Sequence, residues 1–549
     1  MPGMREIGAL HNALTSDRAN ASRLRVLPLH SSLAPADQRR VFDRPPPGSR
    51  KVVIATNIAE TSITIDDIVF VIDSGRVKEN RYDALNRLPQ LVDAFISTAN
   101  RRQRRGRAGR VRPGEAFFMY PRATAEAMAP FQPPEMLRVP LHELCLQIKL
   151  LNLGEIEGFL AKALEPPAPD RVREGVATLA ELQALDKAEI LTPLGHHLAT
   201  LPVDVRVGKM LLFACMLRCL HPVLVIAAGL SLRSPFLDPF DKREPARAAR
   251  LTFAGTLRSD HLALLKAHEA YAKQRLRGKA TARAWCAQNF LSHDTLENME
   301  AVITQFVELL LEIGFVNLEL ALAPAADGGG GGAGGGGSGD GGEGGAKSGA
   351  AAARGGAKAL MRSSPIGGAH YNVHAKSLEC LRACICAGLY PNVARARPGD
   401  SDDRGGKGGG KGGGERPPSF ETVGGTAVSL HPASVNAQVP KFPSRWFVYY
   451  EKVRTSKIFL RDATMVSAYP LLLFGGELDV AHAKQTISVD GWIEFGAPPR
   501  VAVLFRQLRA ELDRLLLQKI KEPKLELERT GRTVSAIVQL LHEEANAKP

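Results

Sequence analysis

The sequence runs to 549 residues, more than one hydrophobic core organises, so several domains are expected. Hydrophobic residues make up 44% and charged residues 23%, which excludes a disordered or fibrous chain and leaves an ordinary globular one. The formal net charge of +14 makes a polyanion such as nucleic acid the simplest partner, with a basic surface serving only solubility as the alternative.

In chain order, Met1 to Leu10 holds no apolar run, so no signal peptide is read there. Arg25 to Leu29, Lys51 to Ala55 (KVVIA) and Ile68 to Asp73 (IVFVID) are β-branched, apolar runs that suit buried parallel strands of an α/β sheet. From Pro133 to about Leu320 the apolar spacing is helical, in Pro140 to Leu151, Met210 to Leu220, His261 to Gln274 and Leu296 to Ile313. The longest apolar stretch, Cys219 to Leu232, is broken by His221 and Pro222 and is too short to cross a bilayer. Gly328 to Gly349 and Arg404 to Gly414 are glycine tracts that cannot form a core. Between them, Tyr371 to Val393 has the composition of a folded segment. Trp446 to Tyr450, Ser456 to Leu460 and Leu471 to Phe474 read as short strands of a small β-barrel. Arg500 to Lys521 is amphipathic, with Leu504, Leu508, Leu512 and Leu515 on one face. The seven cysteines are odd in number and form no paired CxxC knuckle, Cys384 and Cys386 read as small buried hydrophobes of an apolar stretch, and a reducing compartment fits. No metal site is expected from them.

Two motifs carry chemistry. The run Gln103-Arg104-Arg105-Gly106-Arg107-Ala108-Gly109-Arg110 lies among seven arginines between Arg101 and Arg112. A localisation signal or generic basic patch is the bland reading, but the run follows α/β strands and its glycines are regularly placed. The three-residue spacing of Arg107 and Arg110 predicts two guanidinium groups on one helix face, suited to phosphate oxygens. The second motif, Thr56 to Asp66 (TNIAETSITID), sits at the carboxyl end of KVVIA, the edge where open α/β sheets bind ligands. A helix cap is the alternative there.

Together these motifs resemble motifs V and VI of superfamily 2 RNA helicases of the DEAH/RHA (DExH-box) family. The resemblance extends over nearly the whole chain outside the glycine tracts. It takes in Pro2-Gly3 with Glu6-Ile7, then Leu29-His30-Ser31-Ser32-Leu33, Leu191-Thr192-Pro193-Leu194-Gly195 and Leu201-Pro202-Val203-Asp204. Ser259-Asp260-His261-Leu262, Asn289-Phe290-Leu291-Ser292 and Gly388-Leu389-Tyr390-Pro391-Asn392 complete it. It implies a multidomain fold, an α/β RecA-like second helicase lobe over 1–132, a winged helix over 133–202 and a helical ratchet domain over 203–320. A glycine-rich linker over 321–370, an OB-fold β-barrel over 371–500 with an insertion at about 397–420, and a C-terminal helical extension over 501–549 follow.

The resemblance also implies roles. Arg107 and Arg110 would be arginine fingers on the γ-phosphate of ATP, and Gln103 would help position the attacking water. Thr64 and Asp66 would lie near the ribose, and Phe42 would stack on adenine. Thr56, Asn57 and Ser31 would touch the RNA backbone. Arg76 to Phe95 would be the β-hairpin that helps part strands. Trp446, Phe447 and Tyr449 are candidate base-stacking rings, although strand alternation buries some of them. The implied activity is an ATP-dependent RNA helicase with ATP and Mg²⁺ as cofactors, moving 3′ to 5′ on RNA. Its partners would be single-stranded or structured RNA and ribonucleoprotein components, with no membrane, acting as a monomer in the cytoplasm or nucleus. A non-enzymatic RNA-binding protein and a DNA helicase are the alternatives. No GxxxxGK[ST] loop and no Asp-Glu dipeptide occur, and Gly345-Ala346-Lys347-Ser348 has alanine where the loop needs glycine. The phosphate cradle and most magnesium ligands are therefore expected on a first lobe outside this sequence, and the chain alone is expected to be inactive as an ATPase.

Overall fold

The KVVIA run forms strand Arg50–Ala55, which pairs in parallel with Leu24–Leu29 so that Leu29 lies opposite Ala55. The computed structural model describes residues 1–17, 23–30, 38–61, 64–83, 88–239, 242–323, 355–361, 363, 365–397, 419–454, 457–522, 525 and 532–546. Ser31 and both glycine tracts lie outside the described residues. The chain divides into two compact units, Met1–Pro140 with Lys162–Pro167, and Leu141–Ala161 with Ala168–Pro549.

In the first unit a second parallel pair joins Phe70–Asp73 to Glu115–Phe118. The expectation of strands buried on both faces fails here. Phe70 and Ile72 are 53% and 72% exposed, because among the described residues the two parallel pairs do not join into one sheet. Arg76–Asp83 and Leu88–Phe95 form the expected antiparallel hairpin. Helix Thr98–Arg105 follows, capped by the Ser97 hydroxyl, which accepts from the Asn100 amide at 3.2 Å.

The second unit is mainly helical, and several of the short motifs that carry the family resemblance turn out to be its punctuation. Thr192, Asp204, Ser259 and Ser292 each accept main-chain N–H bonds at the starts of helices Pro193–Thr200, Val205–Met216, Asp260–Leu276 and His293–Glu312. Such caps satisfy amides that the helix itself cannot. Gly195 is required for a different reason, since a Cβ there would collide with the carbonyl of Ala184. Gly388, in helix Leu378–Leu389, lets that helix approach Val205–Met216, and its Cβ would lie 2.8 Å from the Arg206 carbonyl oxygen. All seven cysteines are buried and free. No helix among the described residues is long and apolar enough to cross a membrane.

Strands Val393–Arg397, Ser419–Thr422, Thr426–Leu430, Trp446–Arg454 and Ile458–Val466 close into a five-stranded barrel. Phe420, Val428, Phe447 and Leu460 fill it. Leu471 to Phe474, read as a strand, is instead the buried end of helix Ala468–Phe474. Pro470 sits in the first turn of that helix, where its missing N–H costs nothing. A separate three-stranded sheet, Leu478–Ala481, Thr486–Val489 and Ile493–Gly496, lies outside the barrel. Helix Pro499–Lys521 buries Leu508, Leu512 and Leu515, but Leu504 is 41% exposed and Phe505 takes the buried position. The last helix, Arg532–Asn546, reaches two other helix starts. Its Glu544 accepts from the Tyr469 amide at 3.0 Å and the Ser467 hydroxyl at 2.7 Å, and His542 meets the Ser377 hydroxyl at 2.9 Å.

Candidate functional site

The two chemical motifs meet in the first unit. Beyond Ala55 the chain turns at once into the short helix Ile58–Thr61, and the main-chain oxygens of Thr56 and Asn57 accept from the amides of Ala59 and Glu60. Thr56 is half-buried and Asn57 exposed, and both follow the carboxyl end of strand Arg50–Ala55. This places Glu60, 6% exposed, beneath the arginine run.

Arg107 and Arg110 are not on a helix. Helix Thr98–Arg105 ends at Gly106, and both arginines lie in the turns after it. They nevertheless come to the other motif. Arg107 donates to the main-chain oxygen of Glu60, and Arg110 donates to the Thr64 hydroxyl. Partial burial first, then the neighbouring Arg110 cation, lowers the pKa of Arg107, and Glu60 opposes the shift. A guanidinium stays charged all the same. Two like charges are thus held close together at the strand edge, an arrangement an anion between them relieves.

The remaining predicted residues are placed less tightly. Gln103 is exposed on helix Thr98–Arg105. Asp66 is exposed in the turn after Thr64, and the ion pair there belongs to its neighbour Asp67, 2.6 Å from Lys51. Phe42 ends the turn Arg40–Phe42 and is 53% exposed, while Val41 beside it enters the core with Leu27 and Leu29. Ser31 falls outside the described residues.

Sequence reasoning gave no role to the residues that hold the site together. Arg104 donates through Nε to Glu60 at 2.9 Å and through Nη1 to Asp73 at 2.9 Å and the Arg76 carbonyl at 3.2 Å. Asn100 donates to the other Glu60 oxygen. Asp73 also accepts from the Gly75 amide at 2.9 Å. Arg104 was in view within the motif, but its partners lie 28 to 44 residues away in sequence, and nothing local announces them.

The barrel corrects the stacking expectation. Trp446, Phe447 and Tyr449 are 3%, 0% and 5% exposed, so none offers a ring to a base. Phe447 and Tyr449 belong to the barrel core, and Trp446 packs on its other side against Trp492 and Phe495. Alternation failed to expose either face because the three-stranded sheet covers the outer one.

Comparison with known proteins follows the same division of the chain. The family described as helicase conserved C-terminal domain matches residues 6–112. The winged-helix and ratchet-like helicase associated domains match 176–203 and 204–293. The oligonucleotide/oligosaccharide-binding fold matches 381–478, and the C-terminal domain in RNA helicases matches 485–543. The DExH-box ATP-dependent RNA helicase DExH1 of Arabidopsis thaliana is 41% identical over 524 residues, 95% of this chain and 46% of that protein. The ATP-dependent DNA/RNA helicase DHX36 of Homo sapiens is 39% identical over 557 residues, 100% of this chain and 50% of that protein. The DExH-box ATP-dependent RNA helicase DExH3 of Arabidopsis thaliana is 38% identical over 551 residues, 99% of this chain and 40% of that protein. The chain spans about half or less of the length of these relatives.

Proposed function

The chain belongs to the DExH-box RNA helicases, whose C-terminal half it resembles, and from that premise we propose that it is the trailing half of an ATP-driven, 3′-to-5′ RNA helicase. Residues 1–132 act as the second RecA-like lobe, and the glycine tracts are insertions flanking and entering the OB-fold. The observation that carries this reading is the pairing of Arg107 and Arg110 at the carboxyl end of strand Arg50–Ala55.

A triphosphate between the lobes supplies the anion that this pair accommodates, and the two guanidinium forks hold its terminal oxygens. An arginine in that role raises hydrolysis by ~10³ to 10⁵ in related phosphoryl transfer. Gln103 orients water from its exposed face of the helix, Thr64 and Asp66 lie toward the ribose, and Phe42 stacks on the base. Magnesium does not fit among the buried carboxylates beside the arginine pair. The buried carboxylates of the site, Glu60 and Asp73, are both held by Arg104. The metal's ligands and the phosphate cradle are supplied by a first lobe outside these 549 residues, and the chain alone hydrolyses no ATP above background.

Thr56 and Asn57, on the same strand edge, hold the RNA backbone, and the net charge of +14 supplies the wider attraction. Fluorescence anisotropy with labelled single-stranded RNA tests the binding half of the reading. Each phosphate contact adds about −0.7 to the slope of log affinity against log salt on a single strand, so affinity falls steeply as salt rises. Binding that is indifferent to salt contradicts the reading. Tighter binding to the matching DNA transfers it to DNA.

A further inference from the structure

Arg104 shares a motif with Arg107 and Arg110, yet its surroundings exclude it from phosphate binding. Its side chain is 12% exposed and sits between two carboxylates, Glu60 and Asp73, whose side chains are 6% and 2% exposed. With its Nε and Nη1 held by these carboxylates and the Arg76 carbonyl, the guanidinium fork is not open to a phosphate. Asn100 and the Gly75 amide add donors to the carboxylates.

Its contacts instead join three elements. Glu60 lies in the turn of helix Ile58–Thr61 at the edge of strand Arg50–Ala55, Asp73 closes strand Phe70–Asp73, and Arg76 opens the hairpin. Glu60 is held at both ends. Its carboxylate takes Arg104 and Asn100, and its carbonyl takes Arg107. At the other side, the Gly75 carbonyl accepts from Ile96 at 3.0 Å, and Arg76 pairs with Phe95 in register, its guanidinium 3.8 Å over the Phe95 ring. The base of the hairpin is therefore fixed within two residues of the atoms that Arg104 grips.

We propose that Arg104 is a positioning residue that ties the loop presenting Arg107 to the base of the Arg76–Phe95 hairpin, passing movement at the nucleotide to the element that parts strands. The mechanical tie stands on this chain's own contacts, and its use in strand separation rests on the helicase reading above. Movement of Arg107 toward a γ-phosphate alters its hold on the Glu60 carbonyl. Glu60 cannot shift without Arg104, and Arg104 cannot shift without Asp73 and the Arg76 carbonyl. Lysine does not replace it, because a single ammonium lacks the planar fork that reaches all three acceptors.

The test uses Arg104→Lys and Arg104→Gln. Amide hydrogen exchange on the 549-residue chain reads the tie directly. Exchange at Ile96 and along the hairpin strands should rise by ~10-fold, within the range of couplings carried by packed networks, while strand Arg50–Ala55 stays protected. The same substitutions, with a first lobe joined upstream, are then assayed for RNA-stimulated ATPase and for strand separation. Arg104→Lys should lower strand separation per ATP hydrolysed by ~10-fold, over and above any fall in the ATPase rate itself. Unchanged exchange at the hairpin base overturns the tie. ATPase and strand separation falling by the same factor overturns the transmission role and leaves Arg104 a fold-holding residue. A parent protein that hydrolyses no ATP defeats the helicase reading instead, while the exchange arm still decides the tie.

Discussion

Replacing Asp260 should loosen the seam between the ratchet helices and the barrel. The carboxylate is 2% exposed and accepts four donors. Oδ1 takes the Val435 amide at 2.8 Å and Arg250 at 3.3 Å, and Oδ2 takes the Ser434 hydroxyl at 2.7 Å and the Ala463 amide at 2.9 Å. It also begins helix Asp260–Leu276, where the helix dipole favours a negative charge. In Asp260→Asn the amide nitrogen must face one of the two oxygen positions. The Ser434 hydroxyl turns to accept, but a main-chain N–H does not, so at least one buried amide loses its partner. An orphaned buried donor costs about 1–3 kcal/mol, and removing the partner of a buried guanidinium adds about 3–5 kcal/mol at most. Arg250 keeps Asp462 at 3.9 Å, which softens the second figure. A net cost of about 3–5 kcal/mol follows, equal to a loss of roughly 100-fold or more in local protection at about 1.4 kcal/mol per decade. A whole-chain melt mixes several domains, so the assay is hydrogen exchange at the Val435 and Ala463 amides. Both should lose protection together in Asp260→Asn. Parent-like exchange at both amides refutes this account of the seam.

Within the same seam the His261 contribution should be acid-sensitive, opposed by Asp462, whose carboxyl burial pushes up to about 6. Burial pushes the His261 imidazole down to about 4, where it stays neutral against the Thr464 hydroxyl at 2.6 Å. The unfolded chain binds the proton first, so this contribution is complete above about pH 6.5 and is lost as pH falls toward 4, at about 1.4 kcal/mol per unit. His261→Asn should remove its share of the acid-induced loss, so that Val435 and Ala463 protection falls less, or rises, as pH drops across that window, and identical slopes in parent and variant contradict the assignment. Glu544→Ala should free the end of helix Arg532–Asn546 by removing the acceptor of the Tyr469 amide. A lost cap costs about 0.5–2 kcal/mol, so a thermal melt shifts only slightly while the Tyr469 amide exchanges faster. Unchanged exchange at Tyr469 rules out the cap.

Much of this architecture was legible because its signals are local. The KVVIA strand and the helices over His261 to Gln274 and Leu296 to Ile313 announce themselves by a β-branched run and by helical apolar spacing, whereas the capping roles of Thr192, Asp204, Ser259 and Ser292 emerge only in the structure. The errors arose where a local signal had two readings. Leu471 to Phe474 is an apolar run too short to separate strand from buried helix, and the deciding fact, Glu544 at its start, lies some seventy residues away. Arg107 and Arg110 were placed on a helix by their spacing, but the helix ends at Arg105 and both lie in the turns beyond it. Trp446 alternates with Phe447, yet both faces of that strand are covered. Arg104 is the plainest limit. Its residue type fits every arginine role in the motif, and only Glu60, Asp73 and Arg76, brought together by the fold, distinguish a clamp from a finger.

The central claim is that Arg107 and Arg110 act on a nucleotide and not on RNA. The measurement is RNA-stimulated ATPase and nucleotide-free RNA affinity, taken side by side on the parent and on Arg107→Lys, with a first lobe joined upstream of Met1. The account predicts that kcat falls ~100-fold or more, because lysine cannot supply the bidentate fork, while RNA affinity stays within ~2-fold. Intact hydrolysis with weakened RNA binding would contradict it, and would make the arginine run a basic nucleic-acid patch.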